Sequence, residues 1–168
     1  MSQTTDGKPS SAKTSDAKAS PEVKIHVLRK MSDFPSWTDP DKFAAFLHES
    51  LKPYDDPLPT VRQGVSDALE PERLEPGFVL LAAEGEKTVG GLIMLRTGMK
   101  GYIPENFLLM VAVDPSVRGR GVGGQIVKKS FELADGDVKL HVEYDNPAKR
   151  LYERLGMKTK YAEMRYQK

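Results

Sequence analysis

From Val23 onward the chain is patterned. Val23, Ile25 and Val27 alternate with polar neighbours, which predicts a first strand. Phe43, Phe46, Leu47 and Leu51 recur at helical spacing. Asp39-Pro40-Asp41 supplies a helix start before them, and Pro53 a stop after them. A second helix is predicted over about residues 58–69, ahead of Pro71. Residues 78–83, a Glu84-Gly85-Glu86-Lys87 turn and residues 89–95 read as a hairpin. Phe107 to Val113 is an unbroken apolar run between Pro104 and Pro115, expected to be a strand buried on both faces. Residues 121–134 predict a helix with Val122, Ile126, Val127, Phe131 and Ala134 on one side. After an Asp135-Gly136-Asp137 turn, Val138, Leu140, Val142 and Tyr144 alternate as a strand over 138–144. Residues 148–155 form a short helix closed by Gly156, and residues 157–167 end strand-like. Helices and strands are thus mixed, which indicates an α/β (α+β) domain, and no repeat at a fixed period is visible.

Composition narrows this picture. At 168 residues the chain fits one domain. Its 39% hydrophobic and 29% charged residues fit a soluble globular protein. No apolar run approaches the ~18 residues of a membrane span, so no membrane partner is expected. A net charge of +1 argues against a dedicated nucleic-acid binder. With no cysteine there is no disulfide, no thiolate metal site and no thiol nucleophile. The three histidines show no metal-ligand spacing, so no metal is expected. Residues 2–20 lack aromatic and branched aliphatic side chains and are expected to be a disordered tail, which leaves 21–168 as the domain. The tail has no apolar centre of the secretory kind, and the expected location is cytoplasmic. Charge is uneven along the chain. Residues 31–90 carry five basic and twelve acidic side chains, whereas residues 91–168 carry fourteen basic and nine acidic. Two differently charged ligands would explain the split, and so would ion pairing between the two halves.

The chemistry concentrates after the apolar run. Arg118-Gly119-Arg120-Gly121-Val122-Gly123-Gly124 opens directly into a predicted helix. Glycines let the backbone come close to a ligand, and the helix start offers free N–H groups at the positive end of its dipole. Arg118 and Arg120 add forked donors suited to phosphate. A pyrophosphate-bearing ligand is the direct inference. The absence of Gly-Lys-Ser/Thr excludes a triphosphate P-loop. Gly119-x-Gly121-x-x-Gly124 satisfies the dinucleotide pattern, with Glu143 near the place of a ribose-binding acid. However, Asp114 to Arg118 separate the loop from its strand, and too little chain follows Glu143 to finish a Rossmann sheet.

Arg118-x-x-Gly121-x-Gly123, preceded by Met110-Val111-Ala112-Val113-Asp114-Pro115, resembles the acetyl-CoA signature of the GNAT (Gcn5-related) N-acetyltransferases. The run from Asn146 to Met157, with Tyr152-Glu153-Arg154-Leu155-Gly156, resembles that family's second signature. The resemblance covers roughly residues 21–168. It implies a GNAT fold, a mixed and mostly antiparallel sheet flanked by helices, with two parallel strands splayed around acetyl-CoA. It implies that Val111, Ala112 and Val113 pair with the pantetheine arm, and that Gly119, Gly121, Val122, Gly123 and Gly124, with Arg118 and Arg120, hold the pyrophosphate.

The same resemblance implies direct attack of an amine on the thioester in a ternary complex. Tyr152 takes the position that protonates the leaving thiolate, and a phenol keeps its proton at neutral pH. Asn146 lies one residue off the family's usual spacing, with Asp145 in the usual place. Glu105 is a candidate general base by its gap to Arg118, while alignment on Ala112-Val113 puts Phe107 there and water relays are the alternative. The expected partner is an amine acceptor, a small molecule or a peptide, with a homodimer also considered. A non-catalytic CoA-binding sensor and a dinucleotide-dependent oxidoreductase remain alternatives, the first disfavoured by Tyr152 and the second by the short C-terminal remainder.

Overall fold

The computed structural model describes residues 22–168. The predicted tail over residues 1–20 lies outside the described residues. Five strands form one sheet in the order β1 (Val23–Leu28), β2 (Phe78–Glu84), β3 (Lys87–Arg96), β4 (Asn106–Val113), β5 (Val138–Leu140). All neighbours pair antiparallel except β4 and β5, which are parallel. Four helices cover it: α1 (Pro40–Leu51), α2 (Leu58–Leu69), α3 (Val122–Leu133) and α4 (Lys149–Arg154). The mixed α/β class expected from the sequence is the observed one.

Strand alternation sorts the core into two layers. From β2, Val79, Leu81 and Ala83 pack with Phe43, Ala44 and Leu47 of α1 and Val61, Val65 and Ala68 of α2. Phe78, Leu80 and Ala82 point the other way, into a cluster with Val122, Ile126 and Val127 of α3 and Tyr152 of α4. The glycine pair on β3 lets both helical layers approach the sheet. A Cβ on Gly90 would lie 2.5 Å from Ile126 of α3, and one on Gly91 would lie 2.5 Å from the Phe43 ring of α1.

Helix α1 begins where the sequence placed it. The Asp39 carboxylate accepts from the Lys42 amide at 2.8 Å, with Pro40 as the first helical residue. Helix α2 has the predicted bounds.

Three expectations change. The strand expected over 138–144 ends at Leu140. The apolar run in β4 is not buried on both faces throughout, because Phe107, Leu109, Val111 and Val113 are only half-buried. The strand-like end over 157–167 contains no strand, and its Tyr161, Met164 and Tyr166 are exposed.

The early end of β5 and the half-burial of β4 past Leu108 share a cause. Ile93 pairs with Met110 and Met94 with Leu108, so Leu109 is an extra residue in β4, a β-bulge. The parallel pairing of β4 with β5 stops at Leu108 opposite Leu140, immediately before that bulge. A bulge bends its strand and strengthens its twist, so β4 leaves β5 from this point. Val142 and Tyr144 therefore have no strand to join.

Candidate active site

Beyond Leu108 the open edge of β4 lines a groove of about 2180 Å³. Its walls are β4, the start of α3, the β5–α4 turn, α2 with the α1–α2 loop, and residues 158–165. The peptide groups available along this edge follow from the ladder. The Asp114 amide donates to Val89 O at 2.9 Å, toward β3. Alternation then turns the peptide groups of Val113 and Val111 to the open side, and those of Ala112 to β3. Of the three residues expected to face the pantetheine arm, Val111 and Val113 present backbone groups to the groove and Ala112 does not.

The loop between β4 and α3 is fixed by Asp114. Its carboxylate accepts from the Ser116 hydroxyl at 2.6 Å and from the Ser116 amide at 2.8 Å, and it pairs with Lys87 at 3.1 Å. These bonds, those from Ser116 above all, push its pKa down to about 2. Gly119 and Gly121 both hold φ of 81°, the left-handed region that glycine enters at no steric cost. Gly121 is the N-cap of α3 and brings no side chain to cap it. The amides of Val122, Gly123 and Gly124 thus head the helix without intrahelical acceptors, beside open space where side chains would stand at Gly119 and Gly121. An anion has room to approach there, with the positive end of the dipole behind the amides.

The two arginines of the loop are otherwise engaged. Arg118 Nε donates to Val113 O at 3.1 Å and its Nη2 to Ser50 O at 2.7 Å. Arg120 Nη2 donates to the Glu84 carboxylate at 2.6 Å. The sequence suggested both as direct phosphate donors. The structure instead turns Arg118 to two main-chain carbonyls and Arg120 to a carboxylate on β2.

Tyr152 is 8% exposed, packs in the α3 layer and reaches the groove. Burial pushes its phenol up to about 12, and the carboxylate of Glu143 adds to the shift. Asn146 Oδ1 accepts from the Ala148 amide at 2.9 Å, so its side chain orders the entry to α4. Glu105 stands at the far end of β4, about 13 Å of strand from the bulge at the usual rise per residue. Its carboxylate accepts from the Asp137 amide at 2.9 Å. Backbone hydrogen bonds, including that one, hold its pKa below the usual carboxylate value, which weakens it as a proton acceptor. His141, just past β5, lies against the Phe107 ring and 3.6 Å from Glu163. Among the described residues no cluster of three potential metal ligands occurs. No helix among them is long and apolar enough to cross a membrane.

The acidic segment 31–90 supplies the wall facing β4, and the sequence left unmarked which of its residues line the groove. Tyr54, Asp56, Thr60, Gln63 and Asp67 line the groove opposite β4. Thr60, Gln63 and Asp67 share one face of α2 at spacings of three and four, flanking Gly64, where an added Cβ would lie 2.7 Å from Leu109. A polar stripe beside a helix glycine was the available signal. The Tyr54 hydroxyl comes within 3.5 Å of Asp145 O, across the mouth of the groove.

The acetyltransferase (GNAT) domain pattern matches residues 75–158, half of the chain. The chain belongs to the GNAT acetyltransferase family. This GNAT domain is 35% identical over 86 residues to N-alpha-acetyltransferase 30 of Xenopus laevis, covering 48% of this chain and 32% of that protein. It is 34% identical over 97 residues to the mycothiol acetyltransferase of Brachybacterium faecium, covering 52% of this chain and 29% of that one. The chain spans about a third of the length of these curated relatives. Among solved structures, an aminoglycoside N-acetyltransferase AAC(6')-Iy in complex with CoA superposes with a TM-score of 0.65 at 16% identity, over 90% of this chain and 97% of that one. A possible acetyltransferase from Clostridium difficile 630 superposes at 0.62 with 24% identity, over 86% and 97%. At these identities the likeness is one of fold.

Proposed function

We propose that this GNAT domain is an acetyl-CoA-dependent N-acetyltransferase that carries an acetyl group to a primary amine by direct attack. The observation that carries the reading is the open edge of β4 past Leu108, ending at an uncapped helix start with a buried tyrosine beside it. A long ligand with an extended amide-bearing arm and a pyrophosphate at one end suits that edge and that loop. The N-alpha-acetyltransferase and mycothiol acetyltransferase relatives support the same reaction class.

In this reading the Val111 and Val113 backbone groups hold the arm, and the amides from Gly119 to Gly124 hold the pyrophosphate. Arg118, Arg120 and Asn146 serve by fixing the surfaces around the ligand. The amine nitrogen bonds to the thioester carbonyl carbon, the C–S bond breaks, and the sulfur leaves with the Tyr152 proton. The raised phenol pKa keeps that proton in place throughout the neutral range. The ammonium first sheds one proton to solvent at the open groove mouth, which frees its lone pair; a second leaves the nitrogen for solvent as the amide forms, and solvent returns a proton to the Tyr152 phenolate. Glu105 anchors the turn to β5.

The acceptor is a cationic amine. Part of the acidic charge of residues 31–90 is paired elsewhere: Asp39 with Lys42 at 3.2 Å, Asp41 with Arg62 at 2.8 Å, Glu49 with Lys52 at 2.9 Å and Glu84 with Arg120 at 2.6 Å. Asp56 and Asp67 remain on the α2 side of the groove, along which the cationic amine approaches, while residues 158–165 bring Lys158, Lys160 and Arg165 to the other side. The deciding experiment incubates the protein with acetyl-CoA and a panel of amines and follows free thiol. Thiol release that depends on an amine supports the reading, and CoA binding without turnover on any amine points to the sensor alternative.

A further inference from the structure

The loop arginine reaches across to the end of α1, where a buried carbonyl has no donor of its own. Helix α1 ends at Leu51, and its last carbonyls require donors from outside the helix. Pro53 has no N–H to offer. The Tyr54 amide, which would reach Ser50 O in a continued helix, donates to Leu51 O at 2.9 Å instead. Ser50 is buried, so water is a poor substitute there. The donor that reaches Ser50 O is Arg118 Nη2 at 2.7 Å, from sixty-eight residues away in sequence. A cation at a helix C-terminus also meets the negative end of the dipole.

The same edge of the guanidinium, through Nε, holds Val113 O at 3.1 Å. Val113 is the last residue of β4, on the edge that faces the groove. Thus one planar fork ties the end of β4 and the glycine loop to the segment that leads into Tyr54 and Asp56. These are the two walls of the groove, one on the cofactor side and one on the acceptor side.

We propose that Arg118 is a positioning residue that couples the cofactor loop to the acceptor wall, and that it acts through Ser50 O and Val113 O and not as a phosphate ligand. The proposal rests on the acetyltransferase reading of the groove. The fork is already made at both carbonyls, so CoA held by the loop would restrain Arg118 further and, through it, the C-terminal turn of α1 that leads into the acceptor wall.

The test uses CoA itself as the probe, on wild type and on Arg118→Lys and Arg118→Ala. Calorimetry measures CoA affinity, and amide hydrogen exchange reads Leu51, Lys52 and Tyr54 with and without CoA. In wild type, CoA should slow exchange at these amides by about 10-fold, the scale of one charge-assisted hydrogen bond. Both variants should bind CoA within about 10-fold of wild type and lose that protection, because a single ammonium does not reproduce the fork. A phosphate ligand would behave differently, with Lys retaining affinity and Ala losing it. That pattern overturns the proposal. So does wild-type protein that binds CoA with no added protection at Leu51–Tyr54, a result that needs no variant to fold. Wild-type protein that does not bind CoA overturns the acetyltransferase reading and this proposal together.

Discussion

The two walls of the groove are built differently. The wall proposed for the cofactor comes from one stretch of chain: β4, the glycine loop, α3, β5 and α4 all lie within residues 106–154. Its ligand groups are mostly backbone, exposed by a bulge, by two glycines of positive φ and by a helix start without a cap. The wall proposed for the acceptor is assembled from α2, the α1–α2 loop and residues 158–165, about ninety residues apart in sequence. Its groups are side chains: Tyr54, Asp56, Thr60, Gln63 and Asp67 on the α2 side, and Lys158, Lys160, Glu163 and Arg165 on the other. A site made of backbone requires residues that permit a conformation, and such residues form a compact pattern. A site made of side chains on a helix face tolerates many residue types and forms none.

If this contrast is right, the cofactor wall should be the more fragile. The largest effect is expected from Gly123→Asp. A Cβ at Gly123 would meet Val113 at 3.4 Å and Leu151 at 3.5 Å, so the fold accommodates it. The added carboxylate would stand at the head of α3, at the proposed pyrophosphate site. Like charges in such proximity cost several kcal/mol, so CoA affinity should fall at least ~100-fold. Absence of any CoA-induced rise in Tm is the check. Retained stabilisation by CoA would remove the glycine loop from the cofactor wall.

Tyr152→Phe should leave CoA affinity nearly unchanged and lower kcat by roughly 10²-fold, the usual scale of acid catalysis. The same variant has a signature in stability. The folded phenol titrates at about 12, above its ordinary value of 10.0. Below pH 10 both folded and unfolded chains keep the proton, and nothing is lost. Between pH 10 and 12 the unfolded chain releases it first, so folding stability declines, by up to about 2–3 kcal/mol for a two-unit shift. Denaturant melts across that range should show a steeper alkaline loss in wild type than in the Phe variant. Parallel curves would mean that the hydroxyl is as well solvated folded as unfolded.

The contrast between the walls also explains what was readable in the sequence. Helix α1 was legible because Asp39-Pro40 is a cap and first-turn pair, and α2 because prolines bound it. The glycine loop and the Tyr152 helix were legible as local motifs. The length of β5 was not, because Val142 and Tyr144 keep strand alternation although the bulge at Leu109 has removed the partner. That bulge lies inside a uniform apolar run and leaves no mark in composition. The contacts of Arg118 and Arg120 are not legible in the sequence for a related reason. Their chemistry suits phosphate, but Ser50 O and Glu84 come from distant parts of the chain and reach them first. Glu105 was chosen by its spacing to Arg118, and spacing carries no information about the Asp137 amide that occupies its carboxylate.

A smaller effect is expected on the acceptor wall from Gly64→Ala. The new methyl would lie 2.7 Å from the tip of Leu109, the bulge residue. Alanine favours a helix interior over glycine by about 1 kcal/mol, which offsets much of the ~1–3 kcal/mol for overpacking. Stability should therefore stay within about 1 kcal/mol of wild type, while kcat/KM for the amine falls roughly 3- to 10-fold as Leu109 is displaced. CoA affinity should not change. A loss of CoA affinity equal to the loss in kcat/KM would show that the two walls are not separable at the bulge.

The smallest effect concerns charge. Asp56 and Asp67 line the acceptor wall, and Gln63 donates to the Asp67 carboxylate at 2.7 Å. Both acids face a groove open to solvent, so their influence is a steering field more than a desolvated pair. Such fields extend about 10 Å at 0.1 M salt and about 3 Å at 1 M. For a polyamine acceptor, kcat/KM should therefore fall roughly threefold over that range, and for a neutral amine it should not move. Asp67→Asn should flatten the salt dependence of the polyamine and leave CoA affinity unchanged, because the residue stands on the opposite wall. An anionic amine preferred over the polyamine, or a salt dependence that survives in Asp67→Asn together with Asp56→Asn, would show that acidic charge on this wall does not select the acceptor.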